Sequence, residues 1–233
     1  MANFTLADMH TSPVLAIWFL LCLLCLLVGG SGAARAAPGA EATDWEVVAA
    51  DLLRQPGFKA LPIRIAASTG HAPAEMEVGG GRCVLHLRTR GNPVADVLLR
   101  QAAADDRLVW MQAILVHEIA HCWRWQGQDA ALQQFAALIG TAGRDSRRLD
   151  EVHQRMRDEE TFADVAALAW VAQAAPEQFE AMLGAFGRLR GNFTLSAGAH
   201  DTRAALDRVR REGFAPGQAP FDAARALLAD TGR

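Results

Sequence analysis

The stretch His117-Glu118-Ile119-Ala120-His121 restricts what this chain can fold into more than any other. It reads H-E-x-x-H, and its surroundings carry a helical period: Leu108, Met111, Leu115, Ile119 and Cys122 recur three or four residues apart. On a helix turning about 100° per residue, His121 lies about 40° around the axis from His117, so two imidazoles project from one face a turn apart. That is a two-nitrogen grip on one metal ion. Glu118 is rotated about 100° from the first histidine and about 60° from the second, which sets its carboxylate beside such an ion but out of line to ligate it. It is placed to take a proton from water at the metal. Asp105 or Asp106 favours the helix start, and Gly127 offers a stop.

Two histidines leave a zinc site short of the three protein ligands that a catalytic site takes. Glu160 and Asp164 follow, at the head of an apolar helical run from Val165 to Ala175. Four residues apart, they share a helix face. Glu160 can complete a His2Glu site while Asp164 accepts a hydrogen bond from the distal nitrogen of one histidine and so fixes its tautomer. Glu159 competes for the ligand role but has no acidic residue four positions on.

With both motifs in hand, the chain resembles the gluzincin clan of zinc metallopeptidases, marked by HExxH on one helix and ExxxD on a later one. The likeness covers the motifs alone, from about Asp105 to Asp164. It implies one zinc ion per chain held by His117, His121 and Glu160, with Glu118 as general base and Asp164 as the carboxylate behind a ligand. It also implies a His, Tyr or Arg from a further segment to steady the oxyanion. The chain has no tyrosine, so the candidates are His200 and Arg203 in Gly198-Ala199-His200-Asp201-Thr202-Arg203. That segment is similar to the His and Arg segment of membrane-associated gluzincins.

Val14 to Val28 form an apolar run of 15 residues, short for a membrane span of ~20 but suited to the core of a signal peptide. Ala34-Arg35-Ala36 fits an A-x-A cleavage site, although no Lys or Arg precedes the run. The expectation is a signal peptide or signal anchor over residues 1–36, a linker over 37–43, and export to the periplasm or beyond. Membrane attachment would come only through the uncleaved segment. Residues 44–233 are then one catalytic domain. Its two cysteines, Cys83 and Cys122, form either a disulfide tying a strand to the motif helix or two buried thiols.

Asp44 to Arg54 reads as a short helix, and Leu61 to Ala66 and Cys83 to Arg88 alternate as two strands, with Gly70 and Gly79 to Gly81 at turns. Helices are expected over Asp96 to Ala104, Asp106 to Gln126, Ala130 to Leu138, Leu149 to Ala174, Pro176 to Leu189, Asp201 to Glu212 and Phe221 to Asp230. A small N-terminal sheet followed by helices is an α+β pattern, zincin-like by the resemblance. The second strand is expected at the edge, where an extended peptide could pair with it. A net charge of −3 with no long basic stripe argues against nucleic acid as partner, and the arginines between Arg144 and Arg157 are interspersed with acids, a solvated face. The function expected is peptide-bond hydrolysis on a peptide or protein substrate. Two alternatives remain: an exported zinc-containing binding or regulatory module without proteolysis, and a hydrolase of a non-protein amide such as a cell-wall crosslink.

Overall fold

The computed structural model describes residues 45–68, 72–88, 91–126, 128–142, 145–192 and 198–229. The expected signal segment and linker, including Val14 to Val28, lie outside them, as does Gly127. The described elements are α1 (Trp45–Leu53), β1 (Ile63–Ala67), β2 (Ala74–Gly79), β3 (Arg82–Leu87), α2 (Pro93–Leu99), α3 (Arg107–Trp125), α4 (Asp129–Ala142), α5 (Ser146–Ala174), α6 (Phe179–Asn192), α7 (Arg203–Glu212) and α8 (Pro220–Ala229). This is a mostly helical α+β protein with a three-stranded sheet. No described helix is long and apolar enough to cross a membrane.

Helices α3 and α5 form the centre because each carries a stretch that is buried on every side. Every residue from Ala113 to Cys122 is buried in α3, and every residue from Phe162 to Val171 in α5. The two pack against each other; the sheet and α1 lie on α3, and α8 lies on α5. Asp145 starts α5 by accepting a hydrogen bond from the Arg147 backbone N–H (3.0 Å). Helix α3 starts differently: a 3-10 turn over Ala104–Asp106 leads into it, and neither aspartate makes a side-chain cap.

The sheet runs β1-β3-β2, with β1 parallel to β3 and β2 antiparallel to it. Its apolar face is Ile63 and Ile65, Cys83, Leu85 and Leu87, and Ala74 and Met76; it packs against the helical core. Two expectations are corrected here. The Cys83 strand is the central strand, hydrogen-bonded on both sides, so it has no edge to offer a peptide. The edge strand lying on α3 is β2, whose sequence Ala-Glu-Met-Glu-Val-Gly alternates inward and outward. It closes a hairpin through Gly80 and Gly81, both at positive φ (57° and 70°), where a side chain would be strained.

The other correction concerns α2, expected over Asp96 to Ala104. It begins at Pro93, where the fixed φ suits a first turn and Asn92 caps it through the Val94 N–H (3.0 Å), and it ends at Leu99. Likewise Pro176 opens a 3-10 turn, and α-helix resumes at Phe179. Of the arginines from Arg144 to Arg157, Arg147, Arg148 and Arg155 are exposed on the N-terminal half of α5. They form a solvated face.

Candidate metal centre

His117 and His121 leave α3 on the side facing α5, and Glu160 meets them from there. The helical period that brings the two rings together also sets their Nε2 atoms 3.3 Å apart. Glu160 Oε2 is 3.6 Å from His117 Nε2, and Oε1 is 3.8 Å from His121 Nε2. Ligands held 2.0–2.2 Å from one small divalent ion at tetrahedral angles stand about 3.4 Å apart. All three residues are buried, and one ligand atom from each lies within 4.8 Å of the others. They lie close enough to bind a metal ion.

A second test of the fit comes from Glu118. Its side chain is buried, and Oε2 has no hydrogen-bond partner among the described residues. Burial pushes its carboxyl up to about 7, opposed by His117 and His121 and reinforced by the charges of Glu160 and Glu75. An orphaned buried carboxylate is costly in a purely packed interior. A water held by a metal ion in this cluster would give it a partner.

Behind the ligands stands Asp164, fully buried, which accepts three hydrogen bonds and faces one ring nitrogen of His117. His117 Nδ1 approaches Oδ1 at 2.9 Å. Arg190 of α6 forks onto both oxygens, Nη2 on Oδ1 (2.6 Å) and Nε on Oδ2 (2.7 Å), and Thr202 Oγ1 donates to Oδ2 (2.7 Å). Burial alone would raise this carboxyl, but Arg190 and His117 outweigh it and hold it down at about 2. Arg190 also reaches Glu160 Oε2 (2.9 Å), and with His200 and His117 it keeps the Glu160 carboxyl well below the usual range against the opposing effect of burial.

His200 sits in the turn ahead of α7, buried, with Nδ1 3.6 Å from Glu160 Oε2. The turn is pinned at both ends: Arg157 of α5 donates from Nη1 to the Gly198 carbonyl (2.5 Å), and Thr202 holds Asp164. Arg203, the other candidate for the oxyanion, is exposed and forks onto Asp201 of its own turn through Nε (2.8 Å) and Nη2 (2.7 Å). It is corrected to a surface residue.

Cys83 and Cys122 form a disulfide with Cα atoms 5.9 Å apart, fastening the central strand to the residue after His121. Of the remaining described histidines, His86 is paired with Glu77 (2.8 Å) on the outer face of the sheet, and His153 is outside the cluster. His10 and His71 are not among the described residues.

Two residues of the centre escape sequence reasoning, Arg190 and Thr202, and a third, Glu159, enters it only as a competing ligand. Arg190 closes a helix in Gly-Arg-Leu-Arg-Gly, which reads as a solvated end. No local period marks it. Glu159 had a weak signal, a second acid directly before the ligand. It is buried, with Oε1 paired to Arg124 Nε (2.8 Å).

No family model matches the chain, and neither a curated protein nor a solved structure matches it. The case for function therefore rests on the geometry of this centre.

Proposed function

We propose that the chain is a zinc-dependent metallopeptidase of zincin-like architecture that hydrolyses peptide bonds. What carries the reading is a unit: His117, His121 and Glu160 converge from two central helices, and beside them lies a buried carboxylate, Glu118, with one oxygen unpartnered. The unit resembles the gluzincin arrangement of HExxH and ExxxD. Zinc, when bound by the three residues, supplies a Lewis acid that polarises a carbonyl and brings the pKa of water toward ~7.

The chain's own residues do the rest. Glu118, buried next to the two histidines with one carboxylate oxygen unpartnered among the described residues, takes a proton from water and returns it to the leaving amine. Asp164, 2.9 Å from His117 Nδ1, would keep the ring proton on that nitrogen and turn Nε2 toward the metal. His200, on a turn fastened by Arg157 and Thr202, is the donor placed to steady the oxyanion. The open edge of β2, lying against α3, is where an extended peptide would add a strand.

Because a structural zinc site needs no base, the deciding variant is Glu118→Gln. It should keep zinc and lose hydrolysis of a broad peptide library by about 10²-fold or more. A variant that cleaves as fast as the wild type would sink the reading. So would a zinc-loaded wild type that cleaves nothing.

A further inference from the structure

Each histidine ligand presents one ring nitrogen to the ion and the other away from it, and the far nitrogen needs an acceptor to keep its proton in place. For His117 that acceptor is Asp164. On the other side of the centre, His121 Nδ1 faces Glu159, whose Oε2 lies 4.0 Å away. We propose that Glu159 is a positioning residue for His121, set in place by Arg124, so that each histidine of the centre has its own carboxylate. This rests on the metal-site reading above and extends it to the second ligand.

The argument starts from the burial of Glu159. Removing a carboxylate from water costs several kcal/mol unless its oxygens find partners. Arg124 satisfies only Oε1; Oε2 is buried and has no hydrogen-bond partner among the described residues. An ion pair serving merely to join α3 to α5 would turn both oxygens to the guanidinium, which is partly exposed and able to fork. Here one oxygen is instead directed at the imidazole. Closing 4.0 Å to a hydrogen bond takes a small side-chain rotation, and a proton fixed on Nδ1 by metal at Nε2 supplies the attraction.

Arg124 is itself held. Its Nη1 donates to the Asp158 carbonyl (3.3 Å), and its guanidinium lies over the Phe162 ring, 5.1 Å from the centroid. Phe162 in turn stacks on Trp123. The chain of support runs from packed rings through Arg124 and Glu159 to His121. Glu159 and Glu160 thus divide the labour of adjacent positions: one ligates, the other orients.

The test measures zinc affinity of the full chain by competition with a chromophoric chelator, for wild type, Glu159→Gln, Arg124→Ala and the double variant. Glu159→Gln should weaken zinc by about 10- to 100-fold. Arg124→Ala should weaken it less, and the double variant should be no weaker than Glu159→Gln, because both act through one contact. In ¹H–¹⁵N spectra of the zinc-loaded protein, the Nδ1–H resonance of His121 should move in Glu159→Gln while that of His117 stays. A residue that only joined the helices would move neither. If Glu159→Gln does not fold, Glu159→Asp keeps the charge for Arg124 while drawing the carboxylate back, and the same weakening is expected. Unchanged affinity with an unmoved His121 resonance would overturn the proposal, as would additive effects of the two single variants. Zinc uptake without hydrolysis would overturn the peptidase reading and leave this result standing; failure of the wild type to take up zinc would overturn both.

Discussion

Asp164 shows how much one side chain can hold. Its two oxygens accept twice from Arg190 and once from Thr202, and one of them lies 2.9 Å from His117 Nδ1, so that it joins α3, α6 and the His200 turn. Asp164→Asn removes the charge and puts an amide against donors. Arg190, almost fully buried, would lose this counter-ion and keep Glu160. Breaking a buried pair in this way costs about 3–5 kcal/mol, because the cost falls on the ion left behind. The expected result is a loss of that size in urea unfolding and metal binding weakened by about 10- to 100-fold. An unchanged midpoint and affinity would mean that the hub holds nothing.

At this scale the sequence was readable only where chemistry follows a local period. His117, Glu118 and His121 are set by one turn of helix, and Glu160 and Asp164 by another. Arg190 and Thr202 act on Asp164 from 26 and 38 residues away, through tertiary contact alone. No spacing encodes that. Arg203 was a plausible donor for the opposite reason: its neighbour in sequence, His200, points inward, and a helix start turns the next side chains elsewhere.

Among the elements, the helices were legible because their apolar period is long, and the sheet was less so. Strand β2 carries an alternation of Ala74, Met76 and Val78 with Glu75 and Glu77, next to a glycine turn, so the signal for a hairpin is present. Pairing order is another matter. That β3 lies between β1 and β2 depends on a parallel crossover, which alternation within a strand cannot express. The disulfide fixes this arrangement by fastening β3 to α3 across 39 residues. By loop entropy, closing that segment stabilises by about 4 kcal/mol. Replacing both cysteines with alanine should therefore lower unfolding free energy by about 2–5 kcal/mol under oxidising conditions. Reduction of the wild type should lower it similarly. A loss under about 1 kcal/mol would show that packing of the sheet on α3 needs no fastening.

For the whole molecule, the same burial that builds the core sets a cost at its centre. The buried stretches of two helices enclose Glu118, and its carboxyl is raised from 4.5 to about 7. Below pH 4.5 the group is neutral in both folded and unfolded chains and contributes no difference. Between 4.5 and 7 the unfolded chain ionises while the folded one retains its proton, so stability is lost as pH rises. Above 7 both are charged, and the loss levels off at about 3 kcal/mol. Glu118→Gln never ionises. In metal-free protein it should match the wild type in denaturant unfolding at pH 4, gain through pH 6, and exceed it by about 3 kcal/mol at pH 8. Metal saturation should shrink that gap, because a cation beside Glu118 favours its charged form. A gap that stayed constant with pH would place its origin in packing, and the carboxylate would then not be the strained group that a proton-transfer role requires.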